Sequence, residues 1–155
     1  MIDHFTETDL PHVAALLRGL NALHVARVPQ RFHDAADETA LAAFLAQQMA
    51  EGAQALVYRA EGVPRGYLLW KRRDMPASAV DRARRLAVLD HIAVAPSWRR
   101  RGIGRRLVAR FEAEARAAGC EGWITMVHAF NGASAGLMRQ SGAALAVEVL
   151  EKRLG

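Results

Sequence analysis

The stretch Val94-Ala95-Pro96-Ser97-Trp98-Arg99-Arg100-Arg101-Gly102-Ile103-Gly104-Arg105-Arg106-Leu107 decides how this chain is read. It follows an apolar run ending at Val94 and precedes an amphipathic run, Arg105 to Ala118, in which Leu107, Val108, Phe111, Ala115 and Ala118 recur at helical spacing. The order is strand, tight turn, helix. Gly102 and Gly104 let backbone N–H groups in the turn come close to a ligand, and the helix they open starts with unpaired donors and a partial positive charge. Such a turn suits phosphate. A merely solvated helix start gains nothing from two glycines, each costing roughly 0.5–1 kcal/mol relative to alanine if helical.

Two common nucleotide sites are excluded. A P-loop needs Lys-Ser/Thr after its second glycine, whereas Gly104 is followed by Arg105 and Arg106, and the glycine spacing is too short. A dinucleotide fingerprint needs a third glycine where Leu107 stands, and Ile124 is not the acid that holds a ribose. What remains, Arg99-x-x-Gly102-x-Gly104 after a strand, resembles the pyrophosphate-binding motif of the GNAT family of N-acetyltransferases. Asn131, Leu137 and Gly142 match a second motif of that family, and the likeness loosely covers most of the chain.

The resemblance implies acetyl-CoA as cosubstrate. Backbone N–H groups from Arg101 through Gly102, Ile103 and Gly104 to Arg105 would hold the pyrophosphate, and Arg99, Arg100, Arg101 and Arg105 the 3′-phosphate. Asn131 and Ser134 would complete the cofactor site. The backbone of Ile92, Ala93 and Val94 would pair with the pantetheine arm, as an open strand edge pairs with any amide-bearing chain. Asp90 and His91 occupy the place of the family's acidic residue and are both candidate bases. A base helps because an ammonium of pKa about 10.4 lies roughly 4.6 kcal/mol from its neutral form at pH 7. Strict alternation sets Asp90 with Val88, Ile92 and Val94, and His91 with Leu89 and Ala93, but the resemblance implies a bulge in this strand, which breaks that parity. Both residues stay open.

The segment Asn131 to Ala143 departs from the family pattern at Ser134, Met138 and Ala143. Met138 stands where the family has the tyrosine that protonates the departing thiolate, and a thioether donates no proton. A thiol of pKa about 8.5 leaves as thiolate at a deficit of only ~2 kcal/mol at pH 7, so water, Ser134 or Ser141 suffices. Met138 is expected to pack against the cofactor arm or the core.

Composition agrees. The chain has 155 residues, 52% hydrophobic and 24% charged, which suits one domain over 1-155 with a real core. Net charge is +5, and five of the 21 basic residues lie between Arg99 and Arg106. Aromatics make up 6% and do not interleave with that cluster, which argues against stacked single-stranded bases and for a small polyanion. The single cysteine, Cys120, excludes an internal disulfide and any CxxC metal pair. His4, His12, His24, His33 and His128 show no metal-ligand spacing, so no metal is expected. The polar start and the lack of a ~20-residue apolar run predict a cytoplasmic protein with no membrane contact.

In chain order, Met1 to Phe5 reads as a strand. A helix capped by Thr8 or Asp9 carries Val13, Leu16, Leu17, Leu20 and Leu23 on one face. Val25 to Ala36 reads as a loop, and a second helix from Asp37 to Gly52 turns Leu41, Phe44, Leu45 and Met49 inward. Gln54 to Ala60 and Arg65 to Arg73 are strands joined by a hairpin at Glu61 to Pro64, and Arg84 to Val94 is a long strand. After the motif helix, Trp123 to Val127 is a strand, Asn131 to Ser141 a helix, and Ala143 to Leu154 a final strand. This order, β-α-α-β-β-β-α-β-α-β, together with the resemblance, predicts the α/β (α+β) GNAT fold, a mixed, mostly antiparallel central sheet flanked by helices. His24, Arg27 and His33 are placed near an acceptor pocket by the family's architecture.

The expected function is acetyl transfer to a small-molecule or peptide primary amine, without nucleic acid, in a chain that the resemblance makes a homodimer. Two other classes stay in view: an acyl-CoA sensor without catalysis, prompted by Met138, and a basic nucleic-acid-binding module, prompted by the charge.

Overall fold

The computed structural model describes residues 1–34 and 37–155; Ala35 and Ala36, the end of the expected loop, lie outside the described residues. Five strands form one sheet in the order β1 (Ile2–His4), β2 (Gln54–Ala60), β3 (Val63–Met75), β4 (Arg84–Val94) and β5 (Gly122–Thr125). The first four pair antiparallel, and β4 pairs with β5 in parallel. The hairpin between β2 and β3 turns at Glu61 and Gly62, both with positive φ, the geometry that matches the twist of its strands.

Helices cover both faces. On one, α1 (Leu10–Arg27) and α2 (Glu38–Ala50) bury Val13, Ala14, Leu17, Leu41 and Leu45 against Val57, Tyr67 and Leu69. On the other, α3 (Ile103–Ala117) lays Ile103, Leu107, Val108, Phe111 and Ala115 on Leu56, Leu68, Trp70, Ala87 and Leu89. Trp70 and Phe111 meet edge to face at 5.5 Å. The fourth helix, α4 (Gly132–Gln140), adds the buried Met138 to this second core.

Several expectations are corrected. The apolar turn Val25–Arg27 continues α1 to Arg27, because nothing breaks the helix before Pro29. Leu23 and Phe44 are exposed: Leu23 falls outside the buried stripe, and Phe44 stacks on His91 at 6.0 Å between ring centroids. The largest difference concerns Ala143 to Leu154, which forms no strand, so among the described residues the sheet has five strands and not six. The alternation is present, but no strand of the same chain lies beside it.

Asp37 caps α2 by accepting the Ala40 N–H at 2.7 Å. Asp37→Ala is expected to lower unfolding free energy by about 1 kcal/mol in urea titration, since one orphan donor of the helix loses its partner.

Candidate active site

The motif turn begins where β4 ends. A short 3-10 turn, Pro96–Trp98, directs the chain away from the sheet, and Arg100 (φ 63°) and Gly102 (φ 75°) both adopt left-handed backbone. This is costly for Arg100 and natural for Gly102. The consequence is a backbone cradle: among the described residues the N–H groups from Arg100 to Arg105 meet no backbone carbonyl, and the first donor of α3 to be paired is Arg106, to Gly102 O at 3.1 Å. Gly104 serves a different need. A Cβ there would stand 3.1 Å from Leu137 Cδ2, so the missing side chain brings α3 against α4.

Side chains stiffen the cradle. Two guanidinium groups lie over the Trp98 ring, Arg101 at 4.5 Å and Arg65 at 5.2 Å from its centroid. Arg99 Nε donates to Val94 O at 3.0 Å, and Arg101 Nη2 donates to Ser97 O at 3.2 Å. Arg106 rests over Tyr58. Arg100 and Arg105 are exposed.

Beside the cradle the sheet opens. Pairing of β4 with β5 runs from Leu86 to Leu89 and stops where Thr125 Oγ1 donates to Leu89 O at 2.9 Å. From Asp90 to Val94, β4 is paired only with β3, and Ile92, Ala93 and Val94 are half-buried. Their edge toward β5 is a free strand edge leading to the cradle. Across it, Asn131 caps α4, its Oδ1 accepting the Ser134 N–H at 3.1 Å. Both residues therefore sit at the start of α4, with Asn131 performing a structural task the motif alone does not disclose. Ser141 Oγ donates to Leu137 O at 3.0 Å, and Met138 is buried among core residues.

The bulge decides where Asp90 and His91 lie. Leu69 pairs with His91 and Trp70 with Leu89, which leaves Asp90 as the extra residue. Leu89, Ile92 and Val94 pack on the α3 side, whereas Ala93 packs among the α1 and α2 residues and His91 touches Tyr67 and Phe44 there. Asp90 lines a cavity of about 130 Å³ with Val88, Lys71, Arg72 and Arg73. Asp90 thus parts from Ile92 and Val94, and the bulge separates His91 from Leu89.

His91 Nδ1 lies 3.4 Å from the Tyr67 hydroxyl. Burial lowers the His91 pKa, aided by Lys71 and His24 and opposed by Asp90, so the imidazole is neutral at pH 7. Burial likewise pushes the Tyr67 phenol up, which keeps it protonated. Asp90 faces Lys71 at 3.7 Å. Farther out, His24, Phe32, His128 and Phe130 meet ring to ring at 5.1–5.4 Å. His33 and Arg27 are exposed.

The sequence from residue 20 to residue 143 matches the model of the acetyltransferase (GNAT) family. The chain belongs to the GNAT family.

Solved structures agree with this GNAT fold. The BH1408 protein from Bacillus halodurans, solved as a point mutant, superposes with a TM-score of 0.89 at 20% identity over 99% of each chain. The aminoglycoside N-acetyltransferase AAC(6')-Iy, solved with CoA, gives 0.77 at 21% identity over 99% of this chain and 93% of that one. A ribosomal-protein-alanine N-acetyltransferase from Brucella melitensis biovar Abortus 2308 gives 0.74 at 21% identity over 99% of each. No curated protein matches the sequence.

Sequence reasoning missed three parts of this GNAT protein's site. Tyr67 stands opposite Ala93 in the ladder and reaches His91 by its hydroxyl alone, and in the sequence it shows only as one more apolar position in a strand. Lys71 reaches Asp90 from the neighbouring strand. The Trp98 stack depends on Arg65, which is far from the motif in sequence.

Proposed function

We propose that the protein transfers an acetyl group from acetyl-CoA to a primary amine by direct attack in a ternary complex. The observation that carries this reading is the run of unpartnered N–H groups from Arg100 to Arg105, set at the end of a strand edge that β5 leaves free. Pyrophosphate suits the first and an amide-bearing pantetheine arm the second. Charge-assisted hydrogen bonds of ~1.5–3 kcal/mol each make three or four of them enough for micromolar affinity. In this reading residues 1–155 are one N-acetyltransferase domain, working in the cytoplasm on a small-molecule or peptide amine without nucleic acid or membrane.

The amine nitrogen attacks the thioester carbonyl, the C–N bond forms, the C–S bond breaks and the ammonium proton must leave. His91 is the better base of the two candidates. It is neutral at pH 7, and in the tautomer whose Nδ1–H donates to the Tyr67 oxygen its Nε2 lone pair is free to take the proton. Asp90 is held by Lys71 and acts by stabilising the imidazolium that forms. The thiolate takes its proton from water or Ser134, because Met138 has none to give and Ser141 is engaged with Leu137. Three of the five residues lining the cavity beside Asp90 are basic, which favours an acceptor with few positive charges over a polycation.

The test is mass spectrometry of an amine and peptide pool incubated with protein and acetyl-CoA, with calorimetry for CoA itself. A gain of about 42 daltons on an acceptor is the expected result. CoA binding with no product on any amine would leave the sensor reading, and absence of CoA binding would end both. His91→Ala is expected to lower kcat about 10²–10⁴-fold. Because the His91 pKa in the free protein lies below its usual 6.5, the His91 limb of wild-type kcat/KM falls on the acid side only below that value. Asp90→Asn removes the charge that favours the imidazolium and moves that limb to lower pH; an unmoved limb would remove Asp90 from the mechanism.

A further inference from the structure

We propose that the amine acceptor carries a carboxylate, held by Arg73 and Lys71 several bonds away from the reacting nitrogen, as in an ω-amino acid. The inference rests on acetyl transfer with His91 as the base and names the acceptor chemistry which that reading leaves open.

One face of the sheet runs from the candidate base into a basic recess. Tyr67 and Leu69 pack among the α1 and α2 residues, so Lys71 and Arg73, two and four positions farther along β3, share their face. On β4, His91 stands opposite Leu69 and Val88 opposite Lys71, which puts both on that face as well. Phe44 of α2 stacks on His91, whereas Lys71 and Val88 beyond it are only half-buried and Arg73 is exposed. Lys71, Arg73, Val88 and Asp90, with Arg72, border one cavity of about 130 Å³ beside His91.

The charges around this cavity are not balanced. Asp90 Oδ2 stands 3.7 Å from Lys71 Nζ, and Arg72 reaches Asp74 at 3.4 Å, a carboxylate that Arg85 shares at 2.8 Å. Arg73 pairs with no carboxylate among the described residues. Its planar fork matches a carboxylate with two parallel hydrogen bonds, and Lys71 adds a point charge. A monoanion suits the cavity better than a phosphate dianion, because Asp90 already places one negative charge in the wall. Spacing sets the distance between amine and acid. At about 3.3 Å per residue, Lys71 and Arg73 lie about 7 and about 13 Å along β3 from Leu69, the residue facing His91. A carboxylate midway between them stands about 10 Å along the strand, and the amine takes up about 3 Å of that to reach the imidazole. Roughly five methylene groups bridge the rest at ~1.5 Å per bond. An α-amino acid, whose two groups flank a single carbon, is too short.

The test is titration calorimetry of the protein, with CoA present, using ε-aminocaproate, its methyl ester and glycine, followed by acetyl-transfer measurements on the same three amines. ε-Aminocaproate is expected to bind at least ~10-fold more tightly than the ester or glycine. Arg73→Gln is expected to bring the acid-to-ester ratio close to one, and Arg73→Lys to keep part of it. An acid that binds no better than its ester overturns the proposal, and so does a ratio that survives Arg73→Gln. Binding ratios stand apart from turnover. An ester acetylated as well as the acid leaves acetyl transfer intact and removes the carboxylate site, whereas a tightly bound acid that is never acetylated keeps the site and removes the transfer reading.

Discussion

Gly102→Val is expected to weaken CoA binding by about 10²–10⁴-fold while leaving the protein folded. Gly102 holds a φ of 75°, and a Cβ there would meet nothing within 4 Å, so the substitution causes no clash. Its cost is conformational. A β-branched residue in left-handed backbone is strained by roughly 1–2 kcal/mol, and the turn escapes by rotating out of that region. Rotation turns away the N–H groups that precede and open α3. Losing two charge-assisted bonds of ~1.5–3 kcal/mol each gives the stated range. Gly104→Ala is the contrast: its Cβ would meet the tip of Leu137, a flexible side chain that shifts by a few tenths of an ångström. Titration calorimetry with CoA checks both; equal losses in the two variants would mean that close packing of α3 on α4, and not the aim of the cradle, governs affinity.

Asp9→Ala is expected to cost about 3–5 kcal/mol of unfolding free energy, the usual result of leaving one member of a buried pair alone. Asp9 is buried, and Arg59 grips both its oxygens, Nη2 to Oδ2 at 2.7 Å. Thr6 adds its N–H at 2.8 Å and its hydroxyl at 3.0 Å. The pair ties the start of α1 to the end of β2. Replacing both partners, Asp9→Leu with Arg59→Met, is expected to restore much of the loss, since an apolar pair carries no desolvation penalty. The pH dependence follows. Burial pushes the Asp9 carboxyl up, and the Arg59 and Thr6 hydrogen bonds outweigh it, so its pKa lies below 3.8. A folded value below the unfolded one means that the stabilisation is complete above 3.8 and disappears as pH falls through the folded value. Urea unfolding at pH 5 and pH 3 should show the wild type losing more of its stability than the double variant; equal losses would remove Asp9 from acid unfolding.

What could be read from the sequence was local. The glycine turn was legible because its demands, positive φ and close approach, fall on residues that are neighbours in the chain. The helices were legible from periodicity, and the resemblance together with the order of elements along the chain gave the fold class. Asp90 and His91 could be nominated but not separated, because the bulge that orients them is a mismatch of register between β3 and β4 and belongs to neither strand alone. Tyr67 was invisible as a partner of His91, since a buried tyrosine in a strand looks like any core position until the facing strand is known. The segment after Gly142 carries the alternation of a strand but forms none in the structure, since a strand needs a neighbour that no local window names.

The two guanidinium groups that lie over Trp98 also equip the protein with an optical signal. Trp70 is fully buried, and Trp123 is tied by its indole N–H to Glu112, so Trp98 is the fluorophore whose surroundings belong to the proposed phosphate cradle. An anion that draws Arg101 away from the ring alters emission at that one site. Occupancy can therefore be followed in the unlabelled protein, with Trp98→Phe as the dark control.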